Sequence, residues 1–197
     1  MRSFVEMELQ TSREVIEKSI FDAGIISALE KLINLCVNIL QKGNKIMFAG
    51  NGGSAAQAQH LSAELVSRFY YDRPALPSMA LTTDTSILTA VGNDYGYEQI
   101  FSRQIESNGQ PGDVFIGLTT SGKSPNILRA IKTCRLKEIH VVGFTGAKGR
   151  IFAESCDHAI VAPSESTPRI QEIHILMGHI LCAAIERSLF PLHGDSD

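Results

Sequence analysis

Apolar residues in the first part of the chain recur at helical spacing. From about residue 14 to residue 40 they appear every three or four positions, which is typical of amphipathic helices. Gly43 ends this pattern and Gly24 interrupts it. The sequence therefore predicts two N-terminal helices with a break near Gly24.

Five short apolar segments follow, and helical patterns lie between most of them. The segments are residues 45–49, 78–81, 113–118, 139–144 and 158–161. A last helix is expected over residues 168–189, with Pro168 in its first turn, where proline is tolerated. Strands joined by crossover helices predict an α/β fold with a doubly wound, mainly parallel five-stranded sheet flanked by helices.

The length of 197 residues fits one domain, with helices in residues 1–43 and the α/β core and C-terminal helix in residues 44–197. A net charge of −3 and a pI near 6.1 give no basic footprint for nucleic acid, so none is expected as a partner. Cys36, Cys134, Cys156 and Cys182 are widely scattered, which predicts free thiols in a reducing compartment. No signal peptide and no membrane span are expected, and the predicted location is cytoplasmic.

A glycine-rich turn follows the first predicted strand, at residues 50–54. Glycines let the backbone approach a phosphate closely, and the N-terminus of the following helix favours negative charge. His60 and Glu64 are four residues apart on that helix, so they share one face. This order predicts a phosphorylated small molecule that undergoes proton transfer.

A second loop, after the third predicted strand, is dense in hydroxyls at Thr119, Thr120, Ser121 and Ser124. One hydroxyl would suffice to cap a helix, so four of them indicate a ligand site. In an open parallel sheet, both loops should face one crevice beyond the carboxyl ends of the strands. The loop is not a nucleotide-binding P-loop, because position 116 is Ile116 instead of glycine.

A dinucleotide-binding domain is an alternative, because Gly50, Gly52 and Ala55 fit G-x-G-x-x-A. Such a domain also needs an acidic residue at the end of the second strand, to hold the ribose. Asp72 instead lies in a polar stretch before that strand. The second, hydroxyl-rich loop is also unexplained by this alternative, which is therefore disfavoured.

Five motifs in this order resemble those of the sedoheptulose-7-phosphate isomerases in the sugar isomerase (SIS) domain superfamily. They are residues 50–54, Gln59 and His60 with Glu64, Asn93 with Asp94, residues 120–124, and residues 169–172 with His179. The resemblance implies interconversion of sedoheptulose 7-phosphate and D-glycero-D-manno-heptose 7-phosphate through an enediol, the first step toward ADP-heptose and lipopolysaccharide. It also implies a homotetramer with sites built between subunits.

The same resemblance implies a role for each matched residue. Glu64 and His179 would be the catalytic pair that moves a proton between C1 and C2. The implied substrate-binding residues are Asn51, Gly52, Gly53, Ser54, Glu64, Asn93, Asp94, Thr119, Thr120, Ser121, Ser124 and Gln171. The hydroxyls of the second loop would hold the phosphate, and the turn expected at residues 91–96 would line the sugar.

A zinc ion is a further implication, since relatives hold one among four side chains whose types recur here as His60, Glu64, Gln171 and His179. Gln171 and His179 are separated by about 12 Å of helical rise, so they cannot be neighbouring ligands on a regular helix. A distorted helix, long side chains that converge, or ligands from different subunits are open solutions. Without the resemblance, His60 and Glu64 would be interpreted as a surface pair worth about 0.2–0.5 kcal/mol.

Two non-enzymatic alternatives come from the same superfamily. Some relatives are scaffolds that associate with the bacterial replication initiator, and others sense sugar phosphates. Retention of Glu64 and His179 favours an enzyme, because a scaffold needs no acid–base groups. Pro168 stands where some relatives carry an acidic residue, and no role is assigned to Glu172.

Overall fold

The structure of the protein is a computed structural model that describes residues 1–192. The helices are α1 (Arg2–Ile20), α2 (Ala23–Gln41), α3 (Gly53–Val66), α4 (Thr85–Tyr95), α5 (Ser102–Asn108), α6 (Pro125–Leu136), α7 (Arg150–Glu154) and α8 (Thr167–Leu189). The strands are β1 (Ile46–Gly50), β2 (Ser78–Ala80), β3 (Val114–Leu118), β4 (His140–Gly146) and β5 (His158–Ala162). Positions 193–197 of the predicted domain lie outside the described residues.

All five strands pair in parallel, in the order β2-β1-β3-β4-β5. The predicted doubly wound α/β sheet is therefore confirmed. The chain moves outward from β1 to β2 and then returns to the other side of β1 with β3. This reversal makes the carboxyl ends of β1 and β3 the switch point at which such sheets bind ligands.

Successive side chains of a strand point to opposite faces of the sheet. Helices cover both faces, so both sets of side chains are buried. Phe48 of β1 packs in one apolar core with residues of α2, α3 and α8. Its neighbour Met47 packs in a second core with residues of α5, α6 and α7. The result is a three-layer arrangement in which α3 and α8 lie on the same face of the sheet.

The predicted break between the two N-terminal helices is confirmed. Asp22 caps the start of α2, and its carboxylate accepts hydrogen bonds from the backbone amides of Gly24 and Ile25 at 2.8 and 3.2 Å. The first helix, however, begins at Arg2 rather than near residue 14. Its first turns lie mostly on the surface and include the Arg2–Glu6 ion pair, so they carry no buried apolar stripe to reveal them.

Helix α2 is apolar and long enough to meet the length and composition criteria for a membrane span, so the expectation that no segment would do so is wrong. The same criteria are met by core helices of globular proteins. One face of α2 packs in the apolar core through Leu29, Leu32, Cys36 and Ile39. This packing explains its apolar composition without a membrane.

All four cysteines are free, as expected. Cys36, Cys134 and Cys182 are buried, and burial raises the pKa of the Cys134 and Cys182 thiols to about 12. These two side chains therefore stay protonated and act as small apolar groups.

Candidate active site

The glycine-rich turn leads directly from β1 into α3. Gly52 has φ 55° and ψ −122°, a conformation open only to glycine without strain, and its carbonyl accepts the first hydrogen bonds of the helix from Ala55 and Ala56. Gly53 begins α3, and Ser54 is buried beneath the turn. The turn therefore places its backbone at the switch point of the sheet, which agrees with the predicted binding of a phosphate there.

Asn51 joins this turn to the second loop. Its amide exchanges two hydrogen bonds with the amide of Asn126, at 2.9 and 2.8 Å, and the Tyr97 hydroxyl donates to its Oδ1 at 3.0 Å. Asn126 is only 2% exposed and lies in the first turn of α6. Neither Asn126 nor Tyr97 was identified from the sequence, since residues paired across 75 positions leave no spacing signal.

We expect Asn126→Leu to weaken substrate binding, because it leaves the Asn51 amide without its buried partner. KM should rise about tenfold, with a stability loss of about 1–3 kcal/mol for the lost hydrogen bonds. Steady-state kinetics and urea unfolding measure both quantities. Asn44→Ala is the matched control, since Asn44 bonds Pro111 and Asp113 at the opposite edge of the sheet. An unchanged KM in folded Asn126→Leu protein would contradict this role.

The second loop places its hydroxyls at the start of α6. Thr119 is buried and its hydroxyl lies 2.9 Å from that of Ser124, the residue before the helix. Ser121 is exposed and accepts from the amide of Lys123. A recess of about 120 Å³ beside this loop is lined by Thr120, Ser121, Lys123, Lys148, Glu165, Thr167 and Ile170. Hydroxyls, a helix N-terminus and Lys123 make this recess suitable for a phosphate, whereas the charge of Lys148 is paired with Glu165 at 2.8 Å.

His60 and His179 meet where α3 and α8 run side by side in the same direction. Gly178 allows this approach, because a Cβ there would lie 2.5 Å from Leu61 of α3. The Nε2 atoms of the two histidines are 2.8 Å apart, and Glu64 Oε1 is 3.4 Å from His60 Nε2. The structure thus brings together three predicted site residues, with the side chains of His60 and Glu64 47% and 23% exposed. They can exchange protons with a ligand.

The donor types of this group fit a zinc ion, since two imidazole nitrogens and a carboxylate are common zinc ligands. Two nitrogens bound to one tetrahedral zinc are about 3.3 Å apart, so the rings would need to separate by about 0.5 Å. Within residues 1–192, no three or more His, Cys, Asp or Glu side chains are already arranged around a metal position. Side-chain movement or an additional ligand is therefore needed.

Gln171 lies away from the histidine pair, at the start of α3. Its side-chain amide is so close to Gly53 that a Cβ there would lie 2.6 Å from Nε2, and the backbone carbonyl of Gln171 accepts from the side-chain amide of Gln57 at 2.6 Å. This position borders the glycine-rich turn. It supports the predicted contact with substrate, whereas the zinc-ligand role of Gln171 stays a prediction.

Asn93 and Asp94 occupy the last turn of α4, so the turn expected at residues 91–96 is wrong for residues 91–95, which are helical. Both side chains are exposed, and the Asn93 amide donates to Asp94 at 2.7 Å. The chain leaves the helix only at Gly96, which has φ 94°. Helix α4 has no buried residue, which explains why its apolar pattern was weak. The sugar-binding role of the two side chains stays a prediction.

Two aromatic residues that the sequence did not indicate lie beside His179. The Phe69 ring is centred 5.7 Å from the imidazole of His179, and Tyr70 packs on Phe69 at 4.6 Å. Both belong to the segment that follows α3. Together with Leu176 and Ala183 they line an open groove beside His179.

His174 is fully buried one and a half turns before His179, and it is a separate feature from the pair. Its Nε2 lies 3.2 Å from the Thr145 carbonyl at the end of β4, while its Nδ1 has no partner. Burial lowers the pKa of His174 to about 4, although the bond to Thr145 opposes the shift. The side chain is therefore neutral at pH 7 and fills a core position.

This burial predicts a loss of stability at mildly acid pH. The unfolded chain binds a proton at His174 below about pH 6.5, whereas the folded protein does so only near pH 4. The free energy of unfolding should therefore fall by about 2 kcal/mol between pH 6.5 and pH 5. Urea unfolding of His174→Gln should lack this contribution. His140→Gln, at an exposed histidine, should retain it, and an identical slope in all three proteins would contradict the prediction.

Comparison with known proteins places the chain in a family. The sequence profile described as SIS domain matches residues 12–146. The chain is 53% identical to a phosphoheptose isomerase of Aneurinibacillus thermoaerophilus over 190 residues, 96% of each protein, and 51% identical to phosphoheptose isomerase 2 of Campylobacter jejuni over 96% of this chain and 94% of that one. A solved phosphoheptose isomerase structure from Neisseria gonorrhoeae matches with a TM-score of 0.88 and 36% identity, covering 94% of this chain and 98% of that one. The chain therefore belongs to the SIS domain family, as the order of its motifs indicated.

Proposed function

We propose that the protein is a phosphoheptose isomerase that converts sedoheptulose 7-phosphate to D-glycero-D-manno-heptose 7-phosphate. The observation that carries this proposal is the grouping of His60, Glu64 and His179 on two helices that begin at or near the crevice of the sheet. Relatives about half identical to this chain over nearly their full length bear that enzyme name.

Aldose–ketose isomerisation requires two proton transfers that Glu64 and His179 can share. One side chain removes the proton from C1 of the ketose, giving an enediol, and the proton is returned at C2. The other moves the hydroxyl proton between O2 and O1. Each step needs a group that accepts and then returns a proton at neutral pH, which carboxylate and imidazole side chains do when held against the substrate.

The distance between the second loop and the histidine pair suits a long sugar phosphate. The glycine-rich turn lies at the start of α3, and His60 follows Gly53 by seven residues, about 10 Å of helical rise. A phosphate at Ser121 and Ser124 would thus be held away from the proton-transfer groups. A seven-carbon chain phosphorylated at C7 and reacting at C1 and C2 has this separation between its two ends.

Zinc is the cofactor we propose, with His60, Glu64 and His179 as ligands and Gln171 of another subunit as the fourth, because Gln171 lies away from the histidine pair within one subunit. When bound, the ion would act as a Lewis acid on the sugar oxygens. Equilibrium dialysis with zinc followed by metal analysis should give one zinc per subunit for the wild-type protein and a much weaker site for His60→Ala. His140→Gln should bind as the wild type does. Equal zinc binding by all three proteins would contradict the ligand set.

We further propose a cytoplasmic homotetramer with sites at subunit interfaces, acting in lipopolysaccharide heptose synthesis. The exposed side chains of Asn93 and Asp94 on a helix without buried residues support completion of the site by another subunit. Phe4, Val5, Met7 and Leu9 of α1 are also exposed apolar residues that an interface would cover. Free cysteines agree with a reducing compartment. Light scattering after gel filtration tests the oligomer.

The activity itself is tested by following purified protein and sedoheptulose 7-phosphate by NMR, with and without added zinc. We expect the resonances of an aldoheptose 7-phosphate to appear. Binding of the sugar phosphate without conversion would indicate a sensor instead. Neither binding nor conversion, in a folded oligomer, would favour a scaffold.

A further inference from the structure

A buried ion pair connects the ends of the two helices that carry the proposed catalytic residues. Arg73 Nε lies 3.1 Å from Glu186 Oε2, and the two side chains are 2% and 0% exposed. Glu186 is on α8, seven residues beyond His179 and about two turns along the same face. Arg73 lies in the segment that follows α3. No role for either residue was expected from the sequence.

Arg73 is bonded directly to the backbone of Glu64. Its Nη2 donates to the Glu64 carbonyl at 2.9 Å, and its Nη1 donates to the Leu65 carbonyl at 2.7 Å. The last carbonyls of a helix lack partners within it, so the guanidinium closes the C-terminal end of α3. The position of the Glu64 backbone therefore depends on Arg73.

Glu186 holds the segment between α3 and Arg73. Its carboxylate accepts from the amides of Phe69 and Tyr70 at 2.7 and 2.6 Å. Phe69 is the residue whose ring packs 5.7 Å from the ring of His179. One carboxylate on α8 thus fixes both the partner of the Glu64 backbone and the aromatic wall beside His179.

Stability alone does not explain the buried Arg73–Glu186 ion pair. Taking two charges out of water is costly, and apolar side chains of similar volume often stabilise a core as well or better. Burial by itself would raise the pKa of Glu186, but the amides of Phe69 and Tyr70 and the guanidinium of Arg73 outweigh it and hold the pKa below its ordinary value. The pair is consequently ionised, and its many directed hydrogen bonds define one position for the segment.

We propose that Arg73 and Glu186 are positioning residues of the active site, which hold the Glu64 backbone and Phe69 against α8 and so set the placement of Glu64 relative to His179. The inference rests on the proposed isomerase activity. Neither side chain needs to touch the substrate. Their effect should appear in the chemical step and much less in substrate binding. The second loop, which would hold the substrate phosphate through Ser121 and Ser124, lies near the other end of α3.

Glu186→Gln and Arg73→Lys are the variants that test this role. Each should lower kcat by about 10- to 100-fold, as expected when catalytic groups are displaced by a fraction of an ångström to one ångström. KM should change by less than about threefold. Arg73→Met, which also removes the charge, should lose more kcat than Arg73→Lys.

Asp113→Asn is the matched control. Asp113 is a fully buried carboxylate that binds Lys45 Nζ at 2.6 Å and the amides of Lys45 and Gln110. Its side chain bonds to Asn44, Lys45 and Gln110, none of which belongs to α3, α8 or the segment between α3 and Arg73. Asp113→Asn should lower the unfolding midpoint as much as Glu186→Gln does, yet retain wild-type kcat well below that midpoint. Comparable kcat losses in the two variants, or wild-type kcat in folded Glu186→Gln, would overturn the proposal.

A second measurement does not depend on activity. In protein labelled with ¹⁵N-histidine, the imidazole resonances of His179, assigned by their absence in His179→Gln, should shift in Glu186→Gln and stay in place in Asp113→Asn. Unshifted resonances in Glu186→Gln would overturn the positioning role. An inactive wild-type protein would instead contradict the proposed function, and the imidazole shifts would still decide whether Glu186 positions His179.

Discussion

Glu64→Gln and His179→Gln should each lower kcat by about 10²- to 10⁴-fold, the range that general acid–base groups contribute. Glutamine matches each side chain approximately in size but cannot take up and return a proton at neutral pH. Glu64 and His179 are partly exposed, so the free energy of unfolding should change little. Steady-state kinetics with sedoheptulose 7-phosphate, together with urea unfolding, measures both effects.

Two surface substitutions serve as matched controls for this pair. Glu106→Gln removes a carboxylate that pairs with Arg103 on the surface, and His140→Gln removes an exposed imidazole. Both should keep wild-type kcat. If Glu64→Gln or His179→Gln folds normally and turns over at the wild-type rate, the assigned acid–base pair is wrong. If either unfolds, the side chain is structural.

Replacing both Ser121 and Ser124 with alanine should raise KM by about 100-fold or more. A hydrogen bond to a charged group contributes about 1.5–3 kcal/mol, and this double substitution removes two donors from the proposed phosphate site. The effect on kcat should be smaller, because the phosphate lies far from the reacting carbons. Inorganic phosphate should also become a weaker competitive inhibitor by a similar factor.

Ser155→Ala is the control for that double variant, since its hydroxyl donates to the Phe152 carbonyl in α7 and faces no part of the crevice. KM and the inhibition constant for phosphate should stay at their wild-type values. An unchanged KM in the Ser121 and Ser124 variant would place the phosphate elsewhere, with the backbone of the glycine-rich turn at residues 50–54 as the nearest alternative.

The sheet was predictable because its strands are buried on both faces. The apolar stretches around Phe48, Ile116 and Val142 are continuous. Half-exposed strands instead alternate apolar and polar residues, so the two kinds of segment are easily distinguished. The beginning of α1 was not predictable from periodicity, because its first turns bury almost nothing. Helix α4 was missed for the same reason, and the turn assigned to Asn93 and Asp94 is helical instead.

The sequence indicated the proposed site through neighbouring residues. His60 and Glu64 are separated by one helical turn, and the two loops carry dense runs of glycine or hydroxyl residues. The supporting contacts join distant positions, such as Asn51 with Asn126 and Arg73 with Glu186, 113 residues apart. Such pairs leave no pattern in a single sequence, since only the folded chain brings them together.

The most direct test of the account is isomerisation of sedoheptulose 7-phosphate in D₂O, followed by NMR. Proton transfer through an enediol predicts an aldoheptose 7-phosphate, formed by the wild-type protein and not by Glu64→Gln, with solvent deuterium at C2 in those turnovers in which the abstracted proton exchanges before it is returned. Conversion at the wild-type rate by folded Glu64→Gln would contradict the acid–base role of Glu64 and His179. No conversion by folded protein, with or without zinc, would contradict the isomerase itself.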